Sequence, residues 1–126
     1  MKRRIALVED NPDNRLLVQA ILADNFEVEE YETGPAALAG VARNRPDLIL
    51  LDISLPEMDG PEVLRLFRAD DALRTIPIIA FTAHAMAGDR QHYINLGFDD
   101  YVTKPILDET HLLGAIQRLL PSPPLA

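Results

Sequence analysis

Residues 47–60, DLILLDISLPEMDG, constrain this chain more than any other stretch. Leu48, Ile49, Leu50, Leu51 and Ile53 form an apolar run broken only by Asp52. A run without alternation requires burial on both faces, as for an inner strand of a parallel sheet with helices above and below. Ser54 to Gly60 then supplies a Pro, an Asp and a Gly, which is loop chemistry. Asp52 therefore closes a central strand at its carboxyl end, the edge at which open α/β sheets place their ligands. Taken alone, an Asp there also reads as a turn residue.

The other segments follow the same pattern. Ile5-Ala6-Leu7-Val8 reads as a buried first strand that stops at Glu9-Asp10-Asn11-Pro12. Asn11 suits an N-cap and Pro12 the first helical position. Leu16, Leu17, Ala20 and Ile21 recur at helical spacing, giving a first helix to about Asp24. Phe26 to Tyr31 alternates and reads as a strand near an edge, and Thr33-Gly34-Pro35 opens a small-residue helix that ends before Arg45-Pro46. After the Asp52 strand, Asp59-Gly60-Pro61 starts a helix with Val63, Leu64 and Phe67 inward. Ile76 to Phe81 forms a fourth buried strand ending at Thr82-Ala83. Asp89 caps a helix running to Gly97, a typical C′ glycine. Met86, Tyr93 and Ile94 on that helix read as core positions or as partner-facing ones. Tyr101-Val102-Thr103 is a short fifth strand stopped by Lys104-Pro105. Asp108 caps a last helix with Leu112, Ile116, Leu119 and Leu120 inward. Five strands alternating with five helices predict a three-layer, mostly parallel α/β domain with right-handed crossovers.

Composition narrows the function. The chain has 126 residues, enough for one domain with a real core, here assigned to residues 1–120. Residues 121–126, with Pro121, Pro123 and Pro124, form a short tail that cannot be helical. A net charge of −8 argues against a nucleic-acid surface, since phosphate backbones select Lys and Arg. Zero cysteines exclude disulfides, thiolate metal sites and a Cys nucleophile. The opening MKRRIALVED holds an apolar run too short for a signal segment or membrane span, so a cytoplasmic, membrane-free protein is expected.

In such a sheet all strand ends share one rim. Four of them carry polar residues: Glu9 and Asp10, Asp52, Thr82, and Lys104. Converging carboxylates repel unless a cation is present, and few hard oxygen ligands suit Mg²⁺, which keeps waters and binds through carboxylates and phosphate oxygens. Lys104 and Thr82 can hold phosphate oxygens. One carboxylate can then act as the nucleophile in an aspartyl-phosphate chemistry while the others hold the metal. Singly, Glu9-Asp10 also reads as an acidic helix start, Thr82 as a strand end or N-cap, and Lys104 as a solvated lysine.

The set LVEDN (7–11), LLDISLPEMDG (50–60), FTA (81–83) and DDYVTKPI (99–106) resembles the receiver domain of two-component response regulators. The resemblance runs from Ile5 to about Leu120. It implies a flavodoxin-like, doubly wound five-stranded parallel sheet of order 2-1-3-4-5 flanked by five helices. It also implies Asp52 as phosphoacceptor. Mg²⁺ or Mn²⁺ would be held by Asp10, Asp52 and the Ser54 backbone carbonyl directly and by Glu9 through water. Thr82 and Lys104 match the switch hydroxyl and phosphate-binding lysine, and Tyr101 the switch aromatic. Ser54 and His84 match positions that tune phosphate lifetime. Alone, His84 reads equally as an exposed residue near a helix start. The Lys104-Pro105 bond is cis in many such domains. Leu55 stands where many members carry Met, a conservative change.

The implied partners are a histidine kinase or a histidine phosphotransferase and a downstream protein target, with the chain a monomer or weak homodimer. It would be no enzyme beyond its own phosphorylation and dephosphorylation. The start at Met1 and the short tail favour a stand-alone regulator or phosphorelay shuttle; the run 82–106 is also similar to hybrid-kinase receivers. The alternative within the fold is a non-phosphorylated pseudo-receiver acting as a scaffold. A Mg²⁺-dependent phosphatase with an aspartyl nucleophile wants a second acid where Ser54 stands. A flavin carrier wants a phosphate-binding first loop, which Glu9-Asp10 would repel.

Overall fold

In the computed structural model, residues 2–83, 89–106 and 108–120 are described. His84, Met86 and the tail 121–126 lie outside them. The elements alternate throughout: β1 (Arg3–Val8), α1 (Pro12–Leu22), β2 (Phe26–Tyr31), α2 (Gly34–Arg43), β3 (Leu48–Asp52), α3 (Gly60–Ala69), β4 (Ile78–Thr82), α4 (Asp89–Leu96), β5 (Asp100–Thr103) and α5 (Glu109–Leu119). The strands form one parallel sheet of order β2-β1-β3-β4-β5.

The three inner strands are apolar because side chains alternate between two helical layers. Ala6, Val8, Ile49, Leu51, Ile78 and Ala80 point one way, into a core shared with Ala37 and Val41 of α2 and Val63, Leu64 and Phe67 of α3. Ile5, Leu7, Leu48, Leu50, Ile79 and Phe81 point the other way, onto Val18 and Leu22 of α1 and Leu112, Ala115 and Ile116 of α5. Every residue of β3 and β4 is buried. β2 is the edge strand expected from its alternation, with Glu27 and Glu30 exposed.

Local signals start α1, α3 and α5 where anticipated, whereas Asp89, expected as a cap, is the first residue of α4. The Asn11 side chain accepts from the amides of Asp13 (2.8 Å) and Asn14 (3.3 Å). Asp59 accepts from Glu62 (3.1 Å) and Asp108 from Thr110 (3.0 Å). Gly97 closes α4 at φ +113°, a conformation side chains resist.

Five expectations need correction. α1 ends at Leu22, with Ala23 as C-cap, rather than near Asp24. Its inward stripe is Val18 and Leu22, whereas Leu16 is 71% exposed and Leu17 38%. Burial of Val18 and Leu22 against the sheet turns the Leu16–Leu17 side outward, and Arg15 and Gln19 then reach Glu30 of the edge strand at 3.1 and 2.8 Å. β4 begins at Ile78 rather than Ile76, because the Ile76 amide closes a turn on Leu73 (3.1 Å) and Pro77 has no N–H to give the ladder. Ile76 remains buried as a side chain. The first and fifth strands begin earlier than read, at Arg3 and Asp100.

The chain crosses to opposite sheet faces after β1 and β3, so their carboxyl ends flank the switch point where ligands bind in open α/β sheets. The loop after β3 is drawn tightly over that point: the Gly60 amide donates to the Ile53 carbonyl (2.9 Å). A Cβ at Gly60 would lie 2.5 Å from the Asp52 carbonyl oxygen and 2.7 Å from the Ile53 Cα. Backbone on both sides cannot yield cheaply. Gly60→Ala is expected to lower stability by about 1–3 kcal/mol, as forced overpacking does; urea unfolding at neutral pH would measure it, and an unchanged midpoint would refute the tight approach.

Candidate functional site

Asp52 is the last residue of β3 and 1% exposed. Its carboxylate accepts from the Ser54 amide two residues on, at 3.0 Å, and from Lys104 Nζ at 2.9 Å. Lys104 follows β5, where its amide donates to the Thr82 carbonyl (2.7 Å) and its Nζ lies 5.2 Å from the centroid of the Phe81 ring. That cation–π contact and the pair with Asp52 hold the ammonium over the rim. The Lys104–Pro105 peptide is cis.

Glu9 follows β1 and is fully buried, whereas Asp10 beside it is exposed. Asn14 Nδ2 donates to Glu9 Oε1 (2.6 Å), and Lys104 Nζ stands 3.5 Å from both Glu9 oxygens. Glu9, Asp10 and Asp52 each offer a carboxylate oxygen within 4.8 Å of the others. Two like charges about 4 Å apart repel by about 4 kcal/mol even at an effective dielectric of about 20. One lysine does not neutralise three such groups.

The protein answers with a proton. Burial, and next the hydrogen bond with Asp52, push the Glu9 carboxyl up to about 7. Burial opposes ionisation of Asp52 as well, yet the hydrogen bonds from Glu9, the Ser54 amide and Lys104 outweigh it and hold Asp52 below the usual carboxylate range. Glu9 therefore holds a proton more readily than an ordinary carboxyl, while Asp52 favours its ionised form. A divalent cation could take that proton's place. Three hard oxygen donors, one exposed to water, suit Mg²⁺ or Mn²⁺ better than any soft metal.

The sheet thus brings together Glu9, Asp10, Asp52, Ser54 and Lys104. Thr82 stands at the end of β4 and is buried, its Oγ1 2.9 Å from the phenol oxygen of Tyr93. Tyr101, on β5, is half-buried against the α2–α3–α4 core, with its ring 5.8 Å from that of Tyr93. Tyr93 is a core residue, one of the two readings the sequence allowed.

Sequence reasoning missed Asn14 and Arg15. Arg15 Nη1 donates to the carbonyls of Glu9 (2.9 Å) and Asp10 (3.0 Å), and its guanidinium pairs with Glu30 (3.1 Å) and Glu32 (3.2 Å). It ties the acidic loop to the edge strand. One signal was available: a cation in the first turn of α1 opposes the helix dipole, so a tertiary reason was to be sought.

The model of the response regulator receiver domain matches residues 5–117. The polar-differentiation response regulator DivK of Brucella anthropi is 42% identical over 107 residues, which cover 84% of this chain and 87% of DivK. The sensor protein GacS of Pseudomonas syringae is 45% identical over 82% of this chain, and the response regulator PleD of Caulobacter vibrioides 41% over 94%. The chain spans only 12% of GacS and 26% of PleD. Among solved structures, the receiver domain of a Pseudomonas aeruginosa sensor histidine kinase has a TM-score of 0.86 at 37% identity. It covers 97% of this chain and 100% of its own, and it carries a magnesium ion coordinated in its active-site cleft. Vibrio cholerae chemotaxis protein CheY4 has a TM-score of 0.85 at 28% identity, covering 94% and 99%.

The shifted carboxyls set a pH dependence for metal-free protein. Glu9 rises from 4.5 to about 7 on folding, so its contribution is full below about pH 4.5 and is lost as pH rises through about 7. Asp52 is shifted down, so its contribution is present above 3.8 and lost as pH falls through its folded value. Glu9→Gln mimics the protonated acid. In chelator at pH 8 the variant is expected to melt above wild type, the gap closing towards pH 5. A variant that melts below wild type at pH 8 would contradict the raised proton affinity of Glu9.

Proposed function

The chain belongs to the response regulator receiver family, and on that premise we propose that it is a phosphoacceptor whose acceptor is Asp52. The observation that carries this reading is the state of Asp52: buried, kept ionised, and held by Lys104 Nζ at 2.9 Å and the Ser54 amide at 3.0 Å. An ionised carboxylate beside a fixed cation is ready to attack phosphorus, and a protonated one is not.

The donor is a phosphohistidine of a histidine kinase or histidine phosphotransferase. An Asp52 oxygen attacks the phosphorus in line; the new P–O bond forms as the P–N bond breaks, and the imidazole nitrogen leaves with the electron pair. Mg²⁺, or Mn²⁺, bound by Asp10, Asp52 and the Ser54 carbonyl, with Glu9 acting through water, would neutralise the phosphoryl oxygens. Lys104 moves its ion pair from the Asp52 carboxylate to the phosphoryl group, and Thr82 brings its hydroxyl to the same group. Asn14 and Arg15 keep the acidic loop in place. Ser54, and His84 by its place two residues beyond Thr82 in the sequence, tune the lifetime of the phosphate.

Thr82, on moving, leaves room that Tyr101 fills by turning inward. The change is then read by a downstream protein on the face of α4, β5 and α5, a two-state device biased by local charge. The receiver unit is taken as residues 1–120, cytoplasmic, and monomeric or weakly dimeric, with no nucleic-acid partner. No helix among the described residues is long and apolar enough to cross a membrane.

Acetyl phosphate with Mg²⁺ is expected to add one phosphoryl mass to wild type and none to Asp52→Asn, with chelator abolishing the reaction. Lys104→Met is expected to slow it by about a hundredfold, the usual cost of losing one preorganised charge-stabilising donor. Intact-mass spectrometry reads both results. A wild type left unmodified by small donors and by a phosphorylated kinase would favour a pseudo-receiver scaffold instead.

A further inference from the structure

The hydroxyl of Thr82 has a partner that the phosphoacceptor reading does not use. Tyr93, in the second turn of α4, reaches it with its phenol oxygen at 2.9 Å, and both side chains are buried, 1% exposed for Thr82 and 5% for Tyr93. The Tyr93 ring is fixed independently. It packs edge-on against Phe98 at 6.1 Å between centroids and lies 5.8 Å from Tyr101, tilted by 33°. The Phe98 amide donates to the Tyr93 carbonyl (3.1 Å), which keeps the two aromatic residues side by side.

Whichever of the two hydroxyls donates, turning Oγ1 towards a phosphoryl oxygen on Asp52 carries it away from Tyr93 and removes the partner of a buried phenol in α4. The resting bond therefore favours the unphosphorylated arrangement, and breaking it acts on α4 directly.

We propose that Tyr93 is a positioning residue that latches the Thr82 hydroxyl in the resting state, so that occupation of the Asp52 site must break a buried β4–α4 hydrogen bond. The proposal rests on the phosphoacceptor reading. It gives α4 its own link to the site, distinct from the movement of Tyr101 on β5. The latch sets the resting bias: the tighter it holds, the smaller the fraction switched at a given load of phosphoryl group.

Tyr93→Phe removes the phenol oxygen and keeps the ring that packs on Phe98 and Tyr101. Beryllofluoride, a stable mimic of the phosphoryl group on a carboxylate, is titrated into the full chain at saturating Mg²⁺, with binding read by calorimetry. Melting of the unliganded protein is followed alongside. One buried hydrogen bond removed from the resting state alone shifts the balance by roughly three- to tenfold. Tyr93→Phe is expected to bind beryllofluoride tighter by that factor while melting lower without it. A phenol that only supports packing would lower the melting temperature and leave the affinity unchanged or weaker, and that result overturns the latch. A wild type that binds no beryllofluoride overturns the phosphoacceptor reading, and the latch with it.

Discussion

Negative charge concentrated at one rim of the sheet is the constraint on which this structure turns. Glu9, Asp10 and Asp52 are held with carboxylate oxygens within 4.8 Å of one another, two of the three side chains out of water. Such an arrangement survives only if its surroundings compensate, and the compensation arrives from separate parts of the chain. Lys104 comes from the end of β5, the Ser54 amide from the loop after β3, and Asn14 from the first turn of α1. Part of the remaining excess is met by the raised proton affinity of Glu9, which burial causes first. Three clustered carboxylate oxygens of this kind are hard donors that a divalent cation could satisfy.

The rest of the fold makes that concentration possible by being apolar and stiff. β1, β3 and β4 bury both faces, which leaves their ends as the places where polar residues can gather. The strand order reverses direction between β1 and β3, opening a crevice where the acids converge. Gly60 lets the loop after β3 close against the Asp52 backbone. Polar pairs are placed with equal economy: Asp100, 4% exposed, is held at 2.8 Å by Arg118 of α5, on the flank of the sheet away from the acids.

Much of this was legible in the residues. Apolar runs that stop abruptly at Glu9, Asp52 and Thr82 announce buried strands with chemistry at their ends, because a run with no alternation has no solvent face. Asn11, Asp59 and Asp108 announce helix starts because their side chains serve orphan amides a few residues away. The misreadings have one character. Leu16 and Leu17 fit a helical stripe as well as Val18 and Leu22 do, and only the packing of the helix on the sheet, with Arg15 and Gln19 reaching Glu30, decides which side turns inward. Ile76 looks like strand because it is buried, but its amide already serves a turn.

Order along the chain, the identity of the inner strands and the acids closing them follow from sequence alone, since each depends on residues within a turn or two of one another. The raised proton affinity of Glu9, the grip of Arg15 on the carbonyls of Glu9 and Asp10, and the bond between Thr82 and Tyr93 belong to the tertiary structure. Each joins groups whose distance is set by how strands and helices pack. A carboxyl's proton affinity or a hydroxyl's partner depends on that distance and on the exclusion of water, and neither is written in any local pattern.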